Sequence, residues 1–197
     1  ISGDYAPQKQ IRGHQAGYRT TPNTYDAWTY EQYFQYYLDL MAFGSNIIEH
    51  NGTKPKDNFR NALMKYDQEE FLIEASRLTD IVDLDVSLWH ANSDYETEEE
   101  ALETREKLYS NMPRLNIVFP PGGDPGELPA DVFVDRCQKI QKVLTKYHPD
   151  AKMHPSAQAP HSIRDWGKVF CEKLEGKPEE IDAVIMVKYG SNVVSVA

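Results

Sequence analysis

The segment Phe119-Pro120-Pro121-Gly122-Gly123-Asp124-Pro125-Gly126 sets a lone carboxylate on a stiff, bent loop directly after an apolar run. Two glycines permit close backbone approach to a ligand, and Pro125 stiffens the chain after Asp124. A carboxylate held this way suits a general acid, a general base or an acceptor of sugar hydroxyls. The same spelling suits a structural turn in which Asp124 caps neighbouring amides. A second carboxylate stands in Glu49-His50-Asn51, three polar residues that should follow a strand rather than lie within it. Glu49 is read as a proton-transfer group or a bridge to hydroxyls, with a salt bridge to Arg12 or Arg19 as the structural alternative.

Other polar clusters fit the same chemistry. In Arg12-Gly13-His14-Gln15-Ala16-Gly17-Tyr18-Arg19, guanidinium forks around His14 and Tyr18 suit a carboxylate or several hydroxyls, and Arg19 is a better ligand group than Arg12. Trp89-His90, His154, Gln158 and His161 complete the set, with Trp89 able to stack on a sugar ring or simply close the core. His14, His50, His90 and His154 raise a metal site as an option, but none has a ligand-pair spacing, so no metal and no cofactor are expected. Nucleotide, dinucleotide and esterase-elbow motifs are absent from the sequence.

These clusters all follow strand candidates: Ile11–Ala16, Asn46–Glu49, Leu84–Trp89, Leu115–Phe119, Ala151–His154 and Ala183–Val187. Amphipathic stretches lie between them. Thr29-Tyr30-Glu31-Gln32 reads as a capping box with Gly44 ending its helix. Asp67, Thr97, Pro129 at a first turn, and Ser162 open four more, the last ended by Gly176. Strands alternating with helices predict an α/β parallel sheet, either open and doubly wound or closed as a (β/α) barrel of TIM type. The barrel is favoured, because every strand end carries polar residues, whereas an open sheet concentrates them at one switch point. About six βα units are visible against the eight of a full barrel, so residues 1–197 are read as a single, incomplete barrel domain.

Composition narrows the partners. The net charge of −10 comes without a Lys/Arg cluster, which disfavours nucleic acid and anionic membrane. No apolar run is long enough to span a membrane. The chain begins with Ile rather than Met, which suggests a processed or truncated product. Cys137 and Cys171 read as buried free thiols, and Asn51-Gly52-Thr53 matches the N-glycosylation sequon.

The segment Arg12–Arg19, followed by Tyr25-Asp26-Ala27-Trp28-Thr29 and Met41-Ala42-Phe43-Gly44-Ser45-Asn46-Ile47-Ile48-Glu49, resembles the opening of barrel glycoside hydrolases of the α-glucuronidase-like and β-N-acetylhexosaminidase-like kinds. Val118–Gly126 is similar in placement to their fourth strand, which ends in an acid in the hexosaminidase-like group. That group usually carries two adjacent acids, whereas here Gly123 precedes the single Asp124. The resemblance implies a glycosidase acting on a glycan with an acidic or N-acetylated sugar. Asp124 and Glu49 would be its carboxylates; Arg12, His14, Tyr18, Arg19, His50, His90, His154 and Gln158 would contact substrate, and Trp89 would form a wall. It further implies a secreted, periplasmic or lumenal location. The alternative is a non-catalytic, barrel-derived subunit or carbohydrate-binding protein whose barrel another chain completes.

Overall fold

The computed structural model describes residues 6–16, 24–53, 62–124, 126–160, 162–175, 181, 184–188 and 191–196. Strands β1 (Gly13–Ala16), β2 (Ile47–Asn51), β3 (Asp85–Trp89), β4 (Ile117–Phe119) and β5 (Lys152–Met153) form one parallel sheet in the order β1-β2-β3-β4-β5. The helices between them are α1 (Tyr30–Ala42), α2 (Gln68–Ile81), α3 (Glu98–Asn111) and α4 (Ala130–Tyr147), and α5 (Trp166–Glu175) follows β5. Each strand neighbours its successor and each helix packs on the next, α1 on α2 through α4 on α5. That is the single winding of a barrel; a doubly wound sheet reverses its strand order partway. Among the described residues the sheet is open, with β1 and β5 at its edges.

Local sequence explains the boundaries. Thr29 and Gln32 satisfy each other's backbone amides at 3.4 and 2.9 Å, and Thr97 and Glu100 do so at 3.2 and 2.8 Å. Asp67 caps α2 by accepting from the Glu69 amide at 3.0 Å. Gly44, at φ +90°, ends α1: its amide bonds the Met41 carbonyl and that of Ser45 bonds Leu40, both at 2.9 Å. The fifth helix begins at Trp166 rather than Ser162, because Asp165 adopts φ +59° and breaks any helix running in from Ser162. Gly176 lies outside the described residues.

The sixth strand forms as β6 (Val184–Lys188), and among the described residues it pairs antiparallel with β7 (Ser191–Val196). Only two residues separate these strands, and so short a connection allows a hairpin but not a parallel crossover. Among the described residues the parallel sheet holds five strands, and Ala183, where the sixth strand candidate starts, lies outside them.

The main core lies between the sheet and its helices, built from Ile48, Val86, Leu88, Val118 and Met153 on the strands with Tyr33, Tyr37, Phe71, Leu72, Leu108 and Leu144 on the helices. A second cluster joins α4 to α5 through Phe133, Cys137, Trp166 and Phe170. Cys137 is buried, which pushes its thiol up to about 12, and Cys171 is exposed.

Candidate functional site

Side chains alternate across a strand, so the core residues identify the helix-facing side and their neighbours the concave side. In β2, Ile48 and His50 pack toward α1 and α2, which turns Ile47, Glu49 and Asn51 to the concave face. Register continues the row: Gln15 lies opposite Glu49, and Glu49 opposite Ser87. The Gln15 amide donates to Glu49 Oε1 at 2.8 Å and the Ser87 hydroxyl donates to Oε2 at 2.9 Å. Half-buried Glu49 is thus oriented from both sides by neutral donors. One level nearer the strand ends, Asn51 lies opposite Trp89 and Trp89 opposite Phe119, while His154 follows the core residue Met153. Trp89, Phe119 and His154 are half-buried.

Glu49-His50-Asn51 was expected to follow its strand, yet all three lie within β2. A parallel strand accepts them because each face offers a partner. His50 is 1% exposed, its Nε2 2.9 Å from the Tyr37 hydroxyl, with Tyr33 and Phe71 against its ring. Burial lowers its pKa to about 4, with a weaker opposing effect from the Ala16 backbone, toward which Nδ1 makes no well-formed hydrogen bond. His90 is likewise 2% exposed on the helix side, between Tyr109 and Thr53 at 3.0 and 3.3 Å. Burial first, and then the Arg105 charge, hold it neutral far below the usual histidine range. Both histidines therefore face away from Glu49.

Arg12 precedes β1 and lies at the opposite, N-terminal rim of the sheet. Its guanidinium donates to the carbonyls of Gly44, Lys9 and Gln10. The alternative salt bridge from Arg12 to Glu49 does not form. His14 is exposed on the edge strand β1. Tyr18, Arg19, Pro125 and His161 lie outside the described residues.

The glycine loop after β4 has a different role from the one its spelling suggested. A Cβ on Gly122 would meet the Gln158 carbonyl at 2.4 Å, and one on Gly123 would meet the Pro160 nitrogen at 2.4 Å. The glycines accommodate the chain's own segment after β5, not a ligand. Ser156 and Gln158 belong to that segment: the Ser156 amide bonds Pro120, and the Ser156 hydroxyl accepts from the Gln158 amide, both at 3.0 Å. Asp124 is exposed.

The loop after β3 is locked from below. Glu96 and Arg105 form a buried two-pronged ion pair at 2.7 and 3.0 Å, and Arg105 also donates to the Ala91 carbonyl. Arg136 holds the Ser93 and Glu96 carbonyls at 2.9 and 3.3 Å, and Asn92 donates to Phe133 and Cys137. The Glu127 amide bonds Asp94 at 2.8 Å, joining this loop to the one after β4. Gln15, Ser87, Glu96 and Arg105 were not singled out from sequence. The alternation Asp85-Val86-Ser87-Leu88-Trp89 does signal Ser87, since a small polar residue between two apolar ones marks the concave face. Asn51, the sequon asparagine, is 2% exposed.

No family model and no curated protein matches the chain. Solved structures do. The catalytic domain of the major endoglucanase from Xanthomonas campestris pv. campestris aligns with TM-score 0.60 at 14% identity, covering 96% of this chain and 67% of that domain. Bacteroides uniformis beta-glucuronidase 3 aligns with TM-score 0.51 at 12% identity, covering 91% of this chain but 20% of its own. DHDPS from Cyanidioschyzon merolae, solved with lysine bound, aligns with TM-score 0.52 at 13% identity, covering 91% and 56%. The chain thus spans less than two thirds of the length of two of these three proteins. Together with the consecutive parallel strands, the likeness defines a TIM-type (β/α) barrel fold, here in partial form. Proteins as different as DHDPS and an endoglucanase share that fold, so function has to be argued from the site.

Proposed function

We propose that this chain carries a carbohydrate site of the glycoside hydrolase kind. The observation that supports it most is Glu49 on the concave face, oriented by Gln15 and Ser87, with the indole of Trp89 one level above. A fixed carboxylate accepts sugar hydroxyls, and an aromatic face takes the apolar C–H side of a sugar ring. Phe119 extends the apolar wall, and His154 and Gln158 stand at the strand ends on the β5 side. Asp124 is the second carboxylate, protonating the glycosidic oxygen while Glu49 acts as nucleophile or base. Tyr18 and Arg19 remain substrate-positioning groups in this reading. Arg12, His50 and His90 support it from behind and below. An acidic or N-acetylated sugar, and kinship with the α-glucuronidase-like or β-N-acetylhexosaminidase-like enzymes, are its finer form.

The test is turnover on a panel of aryl glycosides. Glu49→Gln and Asp124→Asn should each lower kcat by about 100-fold or more. Unchanged turnover in either variant removes that residue from the chemistry.

A second reading, a glycan-binding or assembly subunit without turnover, draws on two observations. Asp124 is exposed, and the five parallel strands among the described residues are fewer than the eight of a full barrel, which another chain could complete. Oligosaccharide binding that Glu49→Gln abolishes, with no hydrolysis by the wild type, would select this reading.

A further inference from the structure

The N-terminal rim of the sheet, opposite the site, carries an exposed apolar strip with unlike charges at its two ends. Phe43 is 92% exposed, Ile81 61% and Ile11 57%. All three stand at this rim ahead of neighbouring strands: Ile11 leads into β1, Phe43 ends α1 just before β2, and Ile81 ends α2 just before β3. Backbone and side-chain bonds tie it together: Arg12 Nε to the Gly44 carbonyl at 2.8 Å, the Asn46 amide to the Arg12 carbonyl at 2.8 Å, and the Asp85 amide to the Asn46 carbonyl at 3.1 Å.

The charges are arranged across this strip. At the β1 end stand Lys9, exposed, and Arg12, whose guanidinium bonds are to backbone carbonyls, giving two positive charges. At the β3 end Asp80, Asp83 and Asp85 share Arg114, and three carboxylates against one guanidinium leave two negative charges. The helix ending at Gly44 needs no aromatic residue at Phe43, which leaves most of a large apolar side chain in water. Burying such a side chain is worth about 1.5–3 kcal/mol.

We propose that this rim is the two-fold interface of a homodimer. A two-fold axis through the paired Phe43 rings lays Ile11 of one copy against Ile81 of the other. It also sets Lys9 and Arg12 across from Asp80 and Asp83, twice over. An isologous interface requires a patch complementary to itself, and an apolar centre flanked by equal and opposite charges meets that requirement. The interface is at the end of the sheet opposite Glu49, so the proposal stands whatever the site does.

Sedimentation velocity of the chain across micromolar concentrations tests it. The wild type should dimerise, and Phe43→Glu should be monomeric throughout with an unchanged circular dichroism spectrum; Phe43→Ser serves if the glutamate variant fails to fold. Lys9→Glu and Asp80→Lys should each raise the dimer Kd by about tenfold or more, and the Lys9→Glu/Asp80→Lys pair should recover most of that loss. A wild type that stays monomeric, a dimer that survives loss of Phe43, single reversals without effect, or a folded double variant without recovery would each overturn the proposal.

Discussion

Acid should destabilise this protein through His50, and the size of the effect follows from its surroundings. The ring is fully enclosed by Tyr33, Tyr37 and Phe71, and its folded pKa is lowered from 6.5 to about 4, chiefly by loss of water. Tyr37 gives no anion to offset an imidazolium, because burial raises its own pKa well above 10. Between pH 6.5 and 4 the unfolded chain therefore binds more protons at this position than the folded one, and stability falls as pH falls through that window. A tenfold difference in proton affinity between the two states corresponds to about 1.4 kcal/mol, so His50 alone removes about 2–3 kcal/mol between pH 7.5 and 4.5. That is a large share of the roughly 5–15 kcal/mol of a typical domain. His90, held neutral in the same way, adds to the loss. The assay is urea denaturation of wild type and His50→Gln at a series of pH values. The glutamine keeps an acceptor for Tyr37 but does not titrate, so the stability difference between the two proteins should change by about 2–3 kcal/mol in favour of the variant over this range. A difference that stays constant to within about 0.5 kcal/mol would refute the reasoning.

Two further predictions concern the loops that frame the site. Glu96→Gln leaves the Arg105 guanidinium buried without its carboxylate and should cost about 3–5 kcal/mol by denaturant unfolding, whereas Glu96→Gln combined with Arg105→Met should recover much of it. Gly123→Ala drives a methyl into the Pro160 backbone and should cost about 1–3 kcal/mol, seen as a lower Tm.

Much of the frame was legible because its signals are local. The capping boxes at Thr29 and Thr97, the Asp67 cap and the Gly44 stop depend on hydrogen bonds within a few residues, and each appears where its spelling put it. The alternation of strand and helix likewise sufficed for a parallel barrel-type sheet. Errors came where local spelling left the decision to distant chain. Whether Glu49-His50-Asn51 stays in the strand depends on Tyr37 and Ser87 waiting on opposite faces. That Val184–Lys188 gains an antiparallel partner depends on the strand that follows two residues later.

The sequence by itself determined the element order, the helix ends and the presence of polar residues at strand ends, since these follow from short-range capping and from the two periodicities of the chain. Tertiary structure alone decided which of those polar residues meet. Register placed Gln15, Glu49 and Ser87 in one row, although they are far apart in sequence, and a one-residue phase difference along β2 and β3 sent His50 and His90 into the core. Packing, too, settled what the glycines beside Asp124 are for. They seat the segment after β5, because a close approach needs a partner surface, and that surface is supplied by residues more than thirty positions away.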